Sequence, residues 1–442
     1  MSTQGSGPTS DVVVQKYGGS SLATVSQVRQ VADRVGALAR SGRRVVVVVS
    51  AQGDTTDELI GRAGAVNPHP AGHELDQLLA TGETASAALM AMALQHSGLA
   101  ATALSGSRSG ILATGPHGAG VIVAIDTEQL RTLLDAGQVV VIAGFQGVTA
   151  DGDIITLGRG GSDTTAVAVA AELRAGHCEI YSDVRGVYTA DPRVVPDARL
   201  MPDIDIDVMT EMAFAGARVM HSRAVELAAL YDVDILVGRS TATRTGTRIH
   251  RLHRRDGNDM LEDRTAVMAV VHDTDIARIT LRTHDTPDPS PAVFRFLAEE
   301  SIPADMTTVA SAPGGGFSLG LTVHRSHAAD VSRSFSDLMA PRRHGVEVED
   351  QVAKVSIVGQ GLLSRPEYAS RMLASLVGSG ISARSLSASQ LRVSVTVPSS
   401  DAVRAVGLLH SEFGLGAAAG ARPGSLSPRP GCRRRRRPRP RS

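Results

Sequence analysis

The first 240 residues alternate between two hydrophobic patterns. Val12 to Gly18 (VVVQKYG) and Val45 to Ala51 (VVVVVSA) are nearly unbroken runs of β-branched residues, whereas Thr24 to Ala39 between them repeats apolar residues at helical spacing. Unbroken runs predict strands covered on both faces, and their alternation with amphipathic helices predicts a mostly parallel sheet sandwiched by helices. The series continues with a helix around Leu75 to Gln95, a strand at Val139 to Gly144, a helix from Asp163 to Leu173 and a strand at Cys178 to Ser182. Helices at Asp207 to Phe214 and Arg223 to Leu230 and a strand at Val233 to Val237 complete it. No Pro/Gly/Ser-rich linker interrupts this stretch, so residues 11–240 read as one α/β domain, with 1–10 as a disordered N-terminus.

Residues 241–263 are polar, basic and poor in periodic apolar positions, and read as a connector. Two similar units follow, expected at 264–345 and 346–413. Each has a strand (Ala277 to Thr283; Val352 to Val358), a helix (Ala292 to Ala298; Tyr368 to Leu376) and a short strand led by Ile302 or Ile381. A further strand (Phe317 to Val323; Leu391 to Val397) and a final helix close each one. Ile302 and Ile381 are 79 residues apart and Phe294 and Met372 are 78 apart, which indicates a duplicated α+β unit of βαββαβ type. Residues 414–442, rich in Ala, Gly, Pro and Arg, cannot bury a core and are expected to be a disordered basic tail.

Charge changes this picture in one respect. The chain balances 45 basic against 45 acidic residues, but nine of the arginines lie in 414–442 with no acid beside them. Residues 1–413 therefore hold 36 basic and 45 acidic groups, a net of −9. A tail of this kind could meet nucleic acid only through phosphate contacts, because it has no aromatic residue for stacking; nucleic-acid binding is not the expected function. Only Cys178 and Cys432 occur, without metal-ligand spacing, so no structural metal or disulfide framework is expected, and Cys178 reads as an inert core thiol. No run of about 18 apolar residues suggests a membrane span, and MSTQGSGPTSD lacks the pattern of a secretion signal, so a cytoplasmic protein is expected. Of the 45 basic residues only Lys16 and Lys354 are lysine. Where arginine is so favoured, a surviving lysine points to a site that needs a compact charge rather than a planar fork, most clearly at Lys16.

Four glycine- or hydroxyl-rich segments follow apolar strands, where open parallel sheets place ligands: KYGGSS (Lys16 to Ser21), VSAQGDTTDE (Val49 to Glu58), TLGRGGSDTT (Thr156 to Thr165) and YSDVRGVYTADPR (Tyr181 to Arg193). In the first, two glycines let backbone N–H groups approach an anion while Lys16 supplies charge. In the third, Arg159 and the turn at Gly160 and Gly161 precede Ser162 and Asp163 at an expected helix N-terminus, which favours negative charge. A plain N-cap would account for Ser162 or Asp163 alone. Several such loops in one α/β domain, none resembling a Walker A motif, point instead to a shared anion site.

KYGGSSLA, VSAQGDTTDEL, the TGE of Thr81 to Glu83, GFQGV, TLGRGGSDTTAVA and EIYSDVRGVYTADPR, in this order and at these distances, closely resemble the aspartokinases of the amino acid kinase superfamily. The two C-terminal units resemble the paired ACT domains of that family. The resemblance implies an amino acid kinase fold followed by two ACT-like domains, and transfer of the γ-phosphoryl of ATP to the side-chain carboxylate of L-aspartate. It matches Lys16, Tyr17, Gly18 and Gly19 to the ATP phosphate site, with Ser20 and Ser21 beside them. Thr56, Glu83, Arg159, Gly160, Gly161 and Ser162 match amino-acid-binding positions, with Arg159 toward the α-carboxylate and Glu83 toward the ammonium or a group that orders it. Asp163 matches the catalytic aspartate. Ser182, Asp183, Tyr188, Arg193, Arg218 and Val219 match nucleotide-binding positions, although Arg218 stands where the family usually has lysine and also reads as a helix-surface residue. No protein metal site is implied; Mg²⁺ would come with ATP. The resemblance also implies a homo-oligomer formed through the ACT-like units, and some relatives initiate a shorter subunit at a position like that of Met260.

Departures are concentrated in the C-terminal half. Where effector-binding members have an Asp-x-Pro-Gly-like turn and an Ile-Asn, this chain has DTPD (Asp285 to Asp288) and SRPE (Ser364 to Glu367), then Ile302-Pro303 and Ile381-Ser382. The family's Ser-Thr-Ser-Glu stretch reads Ser387-Ala388-Ser389-Gln390. Asp288 and Glu367 put negative charge where an effector carboxylate would bind, so weakened feedback by lysine or threonine is expected. Two other readings share much of the sequence pattern: a related kinase acting on another carboxylate, and a catalytically silent amino-acid sensor. The intact set of Lys16, Arg159 to Asp163 and Asp183 argues against the sensor.

Overall fold

The computed structural model describes residues 11–242, 246–252, 267–283, 288–311, 316–339 and 344–416. An eight-stranded sheet organises the N-terminal part, in the order Asp203–Asp205, Thr247–His250, Ile235–Arg239, Cys178–Ser182, Val12–Tyr17, Arg44–Val49, Val139–Ala143, Ala101–Leu104. All neighbours pair in parallel except Ile235–Arg239 with Thr247–His250. The unbroken valines of Arg44–Val49 have a simple cause. Val45, Val47 and Val49 pack with Val31 and Val35 of helix Val25–Arg40 and Met90 and Leu94 of helix Gly72–His96. Val46 and Val48 face the opposite layer, with Val167 of helix Gly161–Glu172 and Leu130 of helix Glu128–Asp135. Helix Val25–Arg40 begins at a capping box between Thr24 and Gln27, satisfying N–H groups that the first turn leaves free.

Two features went beyond the expected pattern. Thr247–His250, inside the expected connector, is a strand of the main sheet, held by Arg248 and Ile249 opposite Leu236 and Ile235. A four-stranded sheet in the order Val121–Ile125, Ile111–Thr114, Gln146–Val148, Ile154–Thr156 stands beside the main one, built from strands of three to five residues too short to show a period.

The C-terminal part holds two four-stranded sheets of the same order. One is Asp305–Ser311, Phe317–His324, Ile276–Thr283, His344–Glu349; the other is Leu386–Ala388, Arg392–Pro398, Val352–Gly359, Val267–Asp273. Helices Ser290–Glu299 and Ala328–Met339 accompany the first, and Pro366–Gly378 and Ala402–Glu412 the second. The pairing departs from a division at 345/346. That point falls within a strand bonded to Ile276–Thr283, while Val267–Asp273, expected in the first unit, pairs antiparallel with Val352–Gly359. The first unit is therefore inserted between the edge strand and the body of the second. Strand-by-strand periodicity cannot reveal such an exchange, because both segments are equally good strands.

The parts meet at a buried ionic cluster. Asp305 accepts from Lys354 Nζ at 2.9 Å and from both Arg392 terminal nitrogens at 2.8 and 3.1 Å. Lys354 also donates to the Phe214 carbonyl at 3.2 Å, and Arg392 Nε lies 3.0 Å from Glu211. Both cations sit over the Phe214 ring. The three units thus converge on helix Ile206–Ala215. Among the described residues no helix is long and apolar enough to cross a membrane. Expectations for 1–10, Met260 and 417–442 lie outside the described residues.

Candidate active site

The register of the main sheet brings the glycine-rich segments to one edge. Tyr17 pairs with Val49 and Tyr181, Val49 with Ala143, and Tyr181 with Gly238. Gly18, Ser50, Gly144 and Ser182 therefore leave four neighbouring parallel strands side by side at their carboxyl ends, where the backbone opens toward a ligand.

The loop after the first strand is tightly folded. Gly18 N donates to Tyr181 O and Gly53 N to Gly19 O, both at 3.1 Å. A side chain at Gly19 would place its Cβ 2.6 Å from the Ala51 carbonyl, so only glycine lets these two loops approach. Lys16 Nζ lies 2.7 Å from Asp163 Oδ1, with both side chains about nine-tenths buried. This pair links the first loop to the start of helix Gly161–Glu172. Gly160 caps that helix in the left-handed region at φ 68°, and any Cβ there would strike His221. Gly144 leaves room for Ser162 in the same way, with a Cβ falling 2.8 Å from its Oγ.

Glu83 enters from helix Gly72–His96 and is 3% exposed. Its Oε1 accepts from Ala51 N at 3.0 Å, while Oε2 is buried with no hydrogen-bond partner. Burial pushes its carboxyl up to about 7, against the opposite pull of the Ala51 amide and the Lys16 charge. A buried carboxylate oxygen without a donor is costly unless a ligand supplies one. Thr56 is half-buried in the first turn of helix Thr55–Val66, an element the sequence pattern did not single out.

A cavity of about 460 Å³ adjoins this centre, lined by Arg159, Gly160, Asp163, Arg218, Val219 and His221, and by Asp273, Asp275 and His324 from the C-terminal part. His221 had no expected role. Its Nδ1 is buried without a partner, and burial lowers its affinity for a proton, outweighing Asp163, so a neutral imidazole faces the cavity at pH 7. Lone histidines before a helix carry no distinctive spacing, which is why sequence reasoning passed over it.

The other expected nucleotide positions are less uniform. Ser182 ends its strand and Asp183 is exposed beyond it, its carbonyl held by Arg239 Nε at 2.9 Å. Tyr188 bridges to Leu200, and Arg193 is an exposed side chain bound to Asp191 at 2.8 Å. Tyr17 needs correction as a contact residue: its ring is fully buried, stacked on Tyr181 with centroids 5.0 Å apart, and its hydroxyl donates to Gln15. Only its main chain can face a ligand. Cys178 is a buried free thiol whose burial raises its proton affinity, matching an inert core residue.

Comparison with known proteins agrees with this arrangement. The family model described as the amino acid kinase family matches residues 11–239, and an ACT domain model matches 355–413. The aspartokinase of Mycolicibacterium smegmatis is 40% identical over 410 residues, covering 92% of this chain and 96% of its own. That of Corynebacterium glutamicum is 41% identical over 413 residues, with the same coverages. Among solved structures, E. coli aspartokinase III in complex with aspartate and ADP (R-state) superposes with a TM-score of 0.76 at 25% identity, covering 91% of this chain and 99% of the other. Two-fifths identity sustained over more than nine-tenths of the chain leaves one assignment: the chain belongs to the aspartokinase family.

Proposed function

We propose that this protein is an aspartate kinase that transfers the γ-phosphoryl group of ATP to the side-chain carboxylate of L-aspartate, giving 4-phospho-L-aspartate and ADP, the first step toward lysine, threonine and methionine. The observation that carries the reading is the Lys16–Asp163 pair at the meeting of two glycine loops, flanked by Arg159 and by a Glu83 carboxylate with a free buried oxygen. A carboxylate of ordinary pKa near 4 is already ionised at neutral pH and needs no general base. The protein's task is to align two anions and cancel their charge.

Each residue then has a defined part. Gly18 and Gly19 give the phosphates access to the backbone, and the Lys16 ammonium, held by Asp163, supplies a point charge where negative charge builds up on the transferred group. Arg159 takes the substrate α-carboxylate, with Gly160, Gly161 and Ser162 forming the floor and the helix N-terminus favouring the anion. Glu83 Oε2 receives the substrate ammonium, and Thr56 closes that end. Ser182, Asp183, Tyr188, Arg193, Arg218 and Val219 line the nucleotide side. The residues present suit a magnesium nucleotide, since the glycine cradle and Lys16 address phosphate oxygens; Mg²⁺, carried by those phosphates, supplies further charge neutralisation.

The same reading includes a homo-oligomer. The edge strands Asp305–Ser311 and Leu386–Ala388 are largely exposed and can extend their sheets with those of a second copy. A shorter subunit starting near Met260 and a cytoplasmic location belong to this proposal as well. Mass spectrometry of the native product reads the first directly. Aspartate-dependent release of ADP from MgATP by the purified protein, lost in Lys16→Ala, is the expected result; full activity in that variant contradicts the assignment.

A further inference from the structure

The segment that carries Arg159 has little freedom for a glycine-rich loop, and two polar side chains outside the expected site, Asp76 and Arg223, account for this. Asp76, on helix Gly72–His96, is 1% exposed. Its Oδ1 accepts from Thr156 Oγ1 at 2.5 Å, and its Oδ2 accepts from Thr156 N at 3.0 Å, from Gly118 N at 3.1 Å and from His117 Nδ1 at 2.8 Å. Arg223, partly buried on helix Ser222–Tyr231, donates to Leu157 O at 2.8 Å and to Gly120 O at 3.0 Å. Among the described residues Arg223 forms no ion pair, and burial weakens its hold on its proton. Removing a carboxylate and a guanidinium from water is expensive, and here they are spent on the 156–157 segment and on residues 117–120 packed against it: Asp76 on Thr156, Gly118 and His117, Arg223 on the carbonyls of Leu157 and Gly120.

That segment runs directly into Arg159. Thr156 O accepts from Gly120 N at 2.8 Å and Leu157 N donates to Phe145 O at 2.8 Å, so the main chain is fixed on both sides of Leu157. Gly158, at φ 73°, packs where a Cβ would lie 2.8 Å from Gly118 O, and Gly161 N returns to Gly158 O at 2.9 Å. Asp76 thus holds the 117–118 turn against the end of strand Ile154–Thr156, and Arg223 ties Leu157 to Gly120. Asp76 and Glu83 are seven residues apart on the same buried face, so one helix presents one carboxylate to the loop and another to the cleft.

We infer that Asp76 and Arg223 are positioning residues for the amino-acid end of the active site: they set the Thr156–Gly161 loop so that the Arg159 guanidinium meets the substrate α-carboxylate. The inference rests on the reading of Arg159 given above. Neither residue lines the cleft, so each acts through the loop. Losing either lets the loop relax, and the effect falls on binding of the amino acid rather than of the nucleotide, whose loops leave other strands.

The test is steady-state kinetics of the full chain with MgATP and aspartate for Asp76→Ala, Asp76→Asn, Arg223→Met and Arg159→Ala, with melting temperatures in parallel. Asp76→Ala and Arg223→Met are expected to raise KM for aspartate about tenfold or more, leaving KM for ATP within about twofold. Asp76→Asn keeps an acceptor for the two amides and His117, and the Thr156 hydroxyl can turn to accept from its NH₂, so it restores most of the affinity. A merely structural role would lower the active fraction or the melting temperature and leave KM for aspartate unmoved. Should Asp76→Ala fail to fold, Arg223→Met carries the test, its side chain being only partly buried. Folded variants with unchanged KM for aspartate, or with both KM values rising together, overturn the inference. If those variants are unchanged while Arg159→Ala raises KM, positioning alone is wrong; if Arg159→Ala is also without effect, the role of Arg159 falls and this inference with it.

Discussion

Binding of aspartate should release a proton, and Glu83 sets the size of the effect. Burial raises its carboxyl from an ordinary 4.5 to about 7, so near neutral pH about half the free enzyme holds it protonated. The substrate ammonium, docking at the partnerless Oε2, needs the ionised form, and the ammonium of a free amino acid stays protonated across this window. KM for aspartate should therefore fall about tenfold from pH 6 to pH 8 and level off above, the apparent affinity following the ionised fraction of Glu83. Glu83→Gln should abolish the slope and, at pH 8, raise KM by about 10- to 100-fold through loss of a charged hydrogen bond of roughly 1.5–3 kcal/mol. The same shift has a stability consequence of known sign. Because the folded pKa lies above the unfolded one, the native state holds the extra proton between 4.5 and about 7, and stability is lost as pH rises through that window. The loss amounts to about 3 kcal/mol for the free protein at pH 8, and Glu83→Gln should recover it. The assay is a coupled ADP measurement at saturating MgATP across pH 6 to 8, with melting curves of both proteins. A flat KM in the wild type, or the same slope in Glu83→Gln, refutes the reasoning.

Three further outcomes follow from particular contacts. Lys16→Ala should lower kcat by about 10²–10³, and Lys16→Arg should not rescue it, because a larger planar fork cannot reproduce the compact charge that the largely buried ammonium places 2.7 Å from Asp163. Asp305→Asn leaves Lys354 and Arg392 buried without their shared carboxylate and should cost about 3 kcal/mol in denaturant unfolding at pH 7. Those two cations hold the Asp305 carboxyl well below the usual range, so its contribution is complete above the unfolded pKa of 3.8 and is lost as pH falls below it; a difference from wild type that persists undiminished well below that point would be wrong for this mechanism. Lysine plus threonine at millimolar concentration should leave the rate unchanged, since Asp288, already accepting from Ser290 N at 2.8 Å, and Glu367 put negative charge where an effector carboxylate would sit. Concerted inhibition in that assay contradicts it.

Much of the catalytic sheet was legible because its cause is local. A run such as Val45 to Val49 has few alternatives to a strand with helices on both faces, and the glycine pairs at Gly18 and Gly160 mark where backbone must come close. Helix Pro366–Gly378 extends two residues beyond its apolar pattern at each end, the usual uncertainty of capping turns. What was not legible depends on distant partners. Thr247–His250 has too few apolar residues to announce a strand, and its place between Ile235–Arg239 and Asp203–Asp205 makes it one. The exchange of Val267–Asp273 into the second C-terminal sheet is a choice between equivalent edges. Tyr17 lies within a motif whose neighbours face the cleft, yet alternation along the strand turns its ring inward onto Tyr181. Asp76 was recoverable, since its place seven residues before Glu83 puts a second carboxylate on a buried helical face. Lys354, rare by composition, proved to hold a buried carboxylate between domains rather than a ligand at the cleft, whereas Lys16 stands at the centre of the proposed site.

The central claim is the reaction itself. Purified protein incubated with MgATP and hydroxylamine, with aspartate or glutamate in turn, traps any acyl phosphate as a hydroxamate that mass spectrometry can place on a carbon. The account predicts the β-hydroxamate of aspartate, formed in step with ADP and absent with glutamate. ADP release without hydroxamate, or a faster reaction with glutamate than with aspartate, would contradict it.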